Sequence, residues 1–64
     1  MLAFLTERGF EIVRIRGSHH VMDKESLRTV VPIHGNELLK IGTLRGILRD
    51  IHMSAEEFAD EWQS

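Results

Sequence analysis

The 64-residue sequence contains no cysteine and only one proline, Pro32. Without thiols, neither disulfides nor thiolate zinc sites can stabilise the chain, so it lacks a support that small secreted domains often use. The apolar run at residues 1–5 is too short for the core of a signal peptide and far too short to span a bilayer. We therefore expect a cytoplasmic protein without a membrane segment.

A chain of this length has room for one hydrophobic core, so we expect a single domain at residues 1–64, of modest stability. The net charge of −2 conceals an asymmetry, because residues 1–53 carry eight basic and six acidic side chains. Residues 54–64 carry four acidic side chains and no basic one. The mildly basic body is compatible with a phosphate-binding surface, although ordinary solvated charge is the more common explanation of such a composition.

Near the N-terminus the apolar spacing changes from that of a helix to that of strands. Leu2 and Leu5 share one face of a short helix, and Gly9 favours a left-handed helix end beyond which Phe10 packs back on Leu5. The sequence then predicts three strands and two connections: a strand at 10–16, a turn at 17–18, a strand that starts at 19–22, a polar loop at 23–26 and a strand at 27–34.

The second half of the chain predicts two helices. Thr43 is the predicted N-cap of the first, whose buried stripe consists of Leu44, Ile47, Leu48 and Ile51. Ser54 and Glu57 form a capping box for a short final helix in which Phe58 and Trp62 would be buried. The predicted class is α+β, with the order α-β-β-β-α plus a C-terminal helix. Helices on one face of a three-stranded antiparallel sheet give a double-stranded-RNA-binding-like layout and leave the other face open.

The densest chemical signal is Gly17-Ser18-His19-His20 at the first turn. Glycine permits a close backbone approach there, and backbone N–H groups beside Ser18 could bind a phosphate oxygen. Histidine side chains in general titrate at about pH 6.5, close to neutrality, which suits acid–base catalysis. RNA supplies its own nucleophile, the 2′-OH, so cleavage needs proton transfer, alignment and charge stabilisation but no metal. Taken alone the motif is weak, because most surface histidines in turns have no catalytic role.

The two adjacent histidines point to opposite faces of a strand, so at most one can serve a given site. A metal site could in principle form from His19, His20 and His34, but no cysteine or His-x-x-x-His spacing supports one. The carboxylates Asp23 and Glu25 lie away from the turn, at the far end of the hairpin. We therefore expect no metal and no other cofactor. His34 is either a second proton carrier or phosphate ligand, or simply a polar cap at the end of the third strand.

Phosphate contacts are expected from Arg14, Arg16 and Lys24. Alternation places Arg14 and Arg16 on one face of the first strand, together with Ile12 and opposite Ile15. The alternative is that these basic side chains only solvate the exposed face of the sheet.

The order of the motifs resembles that of the HicA (YcfA-like) toxin family. The resemblance runs from about residue 9 to 58 and is carried by Gly9-Phe10, Arg14, Gly17-Ser18-His19, Val31-Pro32-Ile33-His34-Gly35-Asn36-Glu37-Leu38 and Gly42-Thr43-Leu44-Arg45-Gly46-Ile47-Leu48. Each piece is common, but the ordered set with these intervals is specific.

The resemblance implies a messenger-RNA interferase of a toxin–antitoxin pair, with a double-stranded-RNA-binding-like fold. It implies that His19 is the catalytic residue, and that a HicB-like antitoxin forms a hetero-oligomer with the toxin and blocks that histidine. The sequence departs from the family pattern in its short N-terminal helix, in Ile41 where lysine is frequent, and in His52 where glycine is usual. The last departure requires a histidine to adopt a left-handed conformation.

These observations leave three classes of function. The first is a metal-independent endoribonuclease that cleaves messenger RNA with His19, and its binding residues would be Gly17, Ser18, Arg14, Arg16 and Lys24. The second is a non-catalytic RNA-binding module of the same fold. The third is a domain whose activity is to hold a protein partner. A cleaved product separates the first from the second, and RNA binding separates both from the third.

Overall fold

A computed structural model describes residues 1–33 and 39–63 of the chain. Its elements are α1 (Leu2–Glu7), β1 (Glu11–Arg16), β2 (His19–Lys24), β3 (Leu27–Pro32), α2 (Ile41–Asp50) and α3 (Ala55–Gln63). The strands form one antiparallel sheet in the order β1-β2-β3. The predicted α+β class and the α-β-β-β-α layout are confirmed. No helix in these two ranges is long and apolar enough to cross a membrane.

One face of the sheet carries the core, because the helices pack against it. Met22 of β2 and Val31 of β3 are fully buried there, in one cluster with Leu5 of α1 and Ile47 of α2. The buried Thr29 donates a hydrogen bond from its hydroxyl to Asp50 Oδ2 over 3.0 Å, which ties β3 to the end of α2. We call the opposite side of the sheet, away from this cluster, the open face.

Two helix ends are closed by backbone hydrogen bonds of the Schellman type. At the end of α1, Gly9 has φ +97°, and the Phe10 N–H donates to the Leu5 carbonyl over 3.0 Å. This confirms the predicted ending. At the end of α2, His52 has φ +59°, and the Met53 N–H donates to the Leu48 carbonyl over 2.9 Å. The histidine therefore adopts the left-handed conformation expected of it.

A β-bulge in β1 changes the predicted distribution of its side chains. Ile12 pairs with Met22 and Arg14 pairs with Val21, so Val13 is an extra residue without a partner in β2. Ile12 consequently lies on the helix side with its partner Met22, and Arg14 lies on the open face. The prediction that Ile12 shares a face with Arg14 is wrong, because strict alternation fails across an inserted residue.

The second hairpin is tighter than predicted. Lys24 pairs with Leu27, so the loop consists of Glu25 and Ser26, not of residues 23–26. Glu25 has φ +55°, a conformation suited to so short a connection. The polar side chains of 23 and 24 suggested a loop, but both residues belong to β2.

The boundaries of α2 and the burial of α3 also differ from expectation. α2 begins at Ile41 with Lys40 as its N-cap, so Thr43 is the third helical residue instead of the cap. The capping box of α3 is confirmed: the Glu57 N–H donates to Ser54 Oγ over 3.0 Å, and the Ser54 N–H donates to Glu57 Oε1 over 3.2 Å. Trp62 was predicted to be buried, yet it is 53% exposed.

Candidate active site on the open face of the sheet

His19 begins β2 directly after the first turn and lies on the open face. Its register partners are Arg16 of β1 and Pro32 of β3, and its side chain is exposed. Met22, three residues further along β2, is fully buried on the opposite side. The imidazole is therefore carried by the middle strand of the sheet and remains accessible to a large ligand.

Arg14 and Arg16 lie beside His19 on the edge strand β1. Arg16 pairs with His19 itself, and Arg14 pairs with Val21, which is the next residue of β2 on the same face. Both arginines are exposed. The structure thus brings together the predicted catalytic residue and two of the predicted phosphate ligands. Arg14 and Arg16 alternate with Ile15 in regular register, so they share this face, and the bulge at Val13 changes only the side on which Ile12 lies.

The turn between β1 and β2 is fixed by backbone geometry. Gly17 has φ +56°, and a Cβ at this position would meet no atom within 4 Å, so the glycine is required for its conformation and not for space. The Ser18 carbonyl accepts a hydrogen bond from the Ile33 N–H over 2.7 Å. The turn that positions His19 is thereby tied to the end of β3.

His20 lies on the side of the sheet opposite to His19. It pairs with Ile15 and with the buried Val31, and its ring is partly buried. Its Nδ1 lies 3.4 Å from the Ser18 carbonyl oxygen. The two histidines therefore cannot bind one ligand together, and the position of His20 fits a support of the turn.

The structure separates Lys24 from the other predicted ligands. Lys24 is the last residue of β2, five positions after His19, which corresponds to about 17 Å along a strand. By alternation it lies on the helix side, and its Cε would be 3.3 Å from a Cβ placed on Gly9. The prediction that it belongs to a basic rim around His19 is wrong, because residues 23 and 24 continue the strand. His34, the possible second proton carrier, lies outside the described residues.

Sequence reasoning missed one pair of residues on the open face. Asp23 and Arg28 are register partners, and two hydrogen bonds join them: Arg28 Nε to Asp23 Oδ1 over 2.6 Å, and Arg28 Nη2 to Asp23 Oδ2 over 2.8 Å. These hydrogen bonds from Arg28 lower the pKa of the Asp23 carboxyl below its usual value. A two-residue loop at 25–26 makes Asp23 and Arg28 directly opposite partners in the hairpin. The sequence would therefore have indicated this pair if the loop had been predicted at that length.

The open face near His19 therefore has an asymmetric distribution of charge. Two guanidinium groups stand on the β1 side of the imidazole, whereas the β3 side presents Pro32 and Val30. Within residues 1–33 and 39–63 no three side chains of the metal-binding types lie together. The arrangement places an exposed imidazole next to two positively charged side chains, a combination that is chemically suited to a phosphodiester.

Comparison with known proteins identifies a family. A family model described as the HicA toxin of bacterial toxin–antitoxin systems matches residues 1–53, which is most of the chain. The match ends before α3. Comparisons with curated proteins and with solved structures gave no match.

Proposed function

The chain belongs to the HicA toxin family, and from this premise we propose that it is a metal-independent endoribonuclease that cleaves messenger RNA with His19. The observation that carries the proposal is the position of His19 on the open face, exposed and paired with Arg16. The family match supports the role of a toxin with an antitoxin partner. The nuclease activity rests on the chemistry of this face.

Cleavage needs two proton movements and one exchange of bonds. The 2′-oxygen next to the scissile phosphate attacks phosphorus, the new 2′-O–P bond forms, and the P–5′-O bond breaks. One proton leaves the 2′-OH and one is gained by the departing 5′-oxygen. His19 carries one of these two protons, and water or a second side chain carries the other.

Arg14 and Arg16 stabilise the charge that accumulates on the phosphorane. A guanidinium group binds phosphate oxygens through a rigid fork of N–H donors and remains protonated throughout. Both arginines lie on the strand next to His19, so a phosphate bound by them lies beside the imidazole. Backbone N–H groups of Gly17 and Ser18 are the proposed additional contacts at the turn.

The partners are inferred from the same face of the molecule. We propose messenger RNA as the substrate and a HicB-like antitoxin as the inhibitor, in a hetero-oligomer formed in the cytoplasm. An antitoxin with carboxylates facing Arg14 and Arg16 would cover His19 without any change in the fold of the toxin. A non-catalytic RNA-binding module would have the same charges but would yield no cleaved product.

The experiment that tests the proposal compares three purified proteins on messenger RNA: the wild type, His19→Ala and His52→Ala. We expect His19→Ala to lose cleavage by roughly 10²–10⁴-fold, the usual contribution of general acid–base catalysis, with its fold retained because His19 is exposed. His52→Ala is the matched control, because it removes an exposed imidazole at the end of α2. If His19→Ala cuts at the rate of the control, His19 is not the proton carrier.

A further inference from the structure

The pair formed by Asp23 and Arg28 has no part in the proposed cleavage, although it lies on the same face as His19. Its two hydrogen bonds of 2.6 and 2.8 Å hold the guanidinium in a fork. The Arg28 side chain nevertheless remains 65% exposed. An exposed ion pair adds little to stability, but this one fixes the orientation of a flat cationic group at the surface.

The surface between Arg28 and His19 is uncharged. Val30 and Pro32 come after Arg28 at alternate positions of β3, and Pro32 is the register partner of His19. Val30 is 42% exposed and pairs with Val21 on the same face. Arg28 lies four residues before Pro32, which corresponds to about 13 Å along the strand. A group bound on Arg28 therefore belongs to a neighbour of the nucleotide that is cut.

Around His19, the charged and the apolar side chains occupy different sides of this face. Arg14 and Arg16 stand on β1, whereas Val30 and Pro32 stand on β3 with Val21 between them. A single nucleic-acid strand has the same division, with phosphates along one side and bases along the other. When the phosphates of the strand bind to Arg14 and Arg16 on β1, its bases point toward β3.

We propose that the Arg28 guanidinium, held by Asp23, is a stacking platform for a nucleobase of bound single-stranded RNA. Bases of unpaired RNA stack on arginine planes, and such stacking tolerates any base because each has a π-face. The fork to Asp23 uses the N–H groups at the edge of the guanidinium and leaves its planar face for the base. Asp23 is a positioning residue. The inference rests on the proposed function only in that RNA is the ligand.

The test uses single-stranded RNA octamers with 2′-O-methyl groups throughout, which cannot be cut by attack of a 2′-OH. Each octamer carries one 2-aminopurine, whose fluorescence responds to stacking, and the position is varied along the strand. We expect the wild type to change the fluorescence at one position. Arg28→Lys keeps the charge but removes the plane, so this change should disappear and binding should weaken about two- to tenfold. Arg49→Lys, at an exposed position of α2, is the matched control and should behave as the wild type.

The Asp23→Asn variant distinguishes stacking on Arg28 from a purely electrostatic effect, because the two explanations predict opposite changes in RNA affinity. Removal of a negative charge should strengthen RNA binding if only charge matters. Loss of the fork should weaken both binding and the fluorescence change if the plane matters. Thermal unfolding of each variant confirms that the fold is kept.

Three results would overturn the platform: wild-type behaviour of Arg28→Lys, stronger binding by Asp23→Asn with the signal retained, or no binding of the octamers by the wild type. Weaker binding of the antitoxin alone would assign the pair to a protein interface and would also overturn it. The octamers cannot be cleaved, so a failure of His19 chemistry leaves this test unaffected. Cleavage of natural RNA is scored separately.

Discussion

At the scale of single residues, His52 adopts a strained left-handed backbone conformation at the end of α2. Its φ of +59° lies in the left-handed region, where the Cβ of an L-residue crowds the backbone. The hydrogen bonds of the Met53 and His52 N–H groups to Leu48 and Arg49 maintain this ending. Gly9 closes α1 in the same way without the cost, because it has no Cβ.

His52→Gly should therefore stabilise the protein. Relief of the strain exceeds the greater entropy of glycine in the unfolded chain, and we expect a net gain of about 0.5–1 kcal/mol. In a domain of this size each kcal/mol raises the melting temperature by about 4–8 °C, which a thermal unfolding curve resolves. Gly9→Ala, at φ +97° and with Lys24 Cε 3.3 Å from the new Cβ, should shift the temperature downward. A lower melting temperature for His52→Gly would contradict this account of the helix end.

At the scale of elements, α3 supports the short helix α1. The rings of Phe4, Phe58 and Trp62 lie 5.2–5.6 Å apart, and the Arg8 guanidinium stands 5.4 Å from the centre of the Phe4 ring. Arg8 Nη1 also lies 3.4 Å from Glu61 Oε2. A helix of six residues is not stable alone. The segment beyond the family match is thus packed against the part of the chain that most needs support.

Trp62→Ala should destabilise the fold while it leaves cleavage unchanged. The substitution removes two ring contacts, each worth about 0.5–1.5 kcal/mol beyond buried area, and partial exposure limits the total to about 1–2 kcal/mol. Urea unfolding measures the change, and Gln63→Ala, an exposed neighbour on the same helix, is the control. An unfolding midpoint equal to that of the control would show that α3 does not support α1.

The elements also show which structural features the sequence could predict. Local signals were sufficient where the interaction spans a few residues, as in the ending at Gly9 and Phe10 and the capping box of Ser54 and Glu57. The bulge at Val13 could not be predicted, because register depends on the partner strand and an inserted residue changes the face of everything before it. Ile12 was misplaced for this reason.

The same limit applies to the candidate site. The glycine turn indicated that His19 would be exposed, and alternation indicated that His20 would not share its site. Lys24 was misplaced because its polar neighbourhood resembled a loop, and recognition of that hairpin would also have indicated the pair of Asp23 and Arg28. Contacts that depend on how two strands align are visible only in the folded sheet.

At the scale of the whole molecule, the two faces of the sheet have separate tasks. The helix side supplies the core, which includes Leu5, Met22, Val31 and Ile47. The open face contributes little to the core and can bind a ligand. Among the residues that the structure describes, the basic side chains next to His19 belong to the edge strand β1. One surface therefore has to serve both the proposed substrate and the proposed inhibitor.

RNA and a HicB-like antitoxin should therefore compete. Antitoxin added to a complex of the toxin with labelled, non-cleavable RNA should displace the RNA, because both need the surface around His19. Charge reversal of Arg14 and Arg16 to Glu should slow the association of both ligands, since exposed charges act chiefly on the encounter rate. Reversal of Arg45 and Arg49 on α2 is the control. A stable ternary complex would instead require inhibition from a distance.

We propose above that the protein cuts RNA by attack of the 2′-OH with proton transfer at His19. The most direct measurement uses one RNA cut by the wild type in EDTA, beside the same RNA with a single 2′-deoxy nucleotide at the cut. We expect cleavage of the first RNA, with a 2′,3′-cyclic phosphate or its hydrolysis product on one fragment and a free 5′-OH on the other. We expect the second RNA to resist cleavage. Efficient cutting of the deoxy substrate, or complete loss of activity in EDTA, would contradict the proposal and indicate a metal-bound water as the nucleophile.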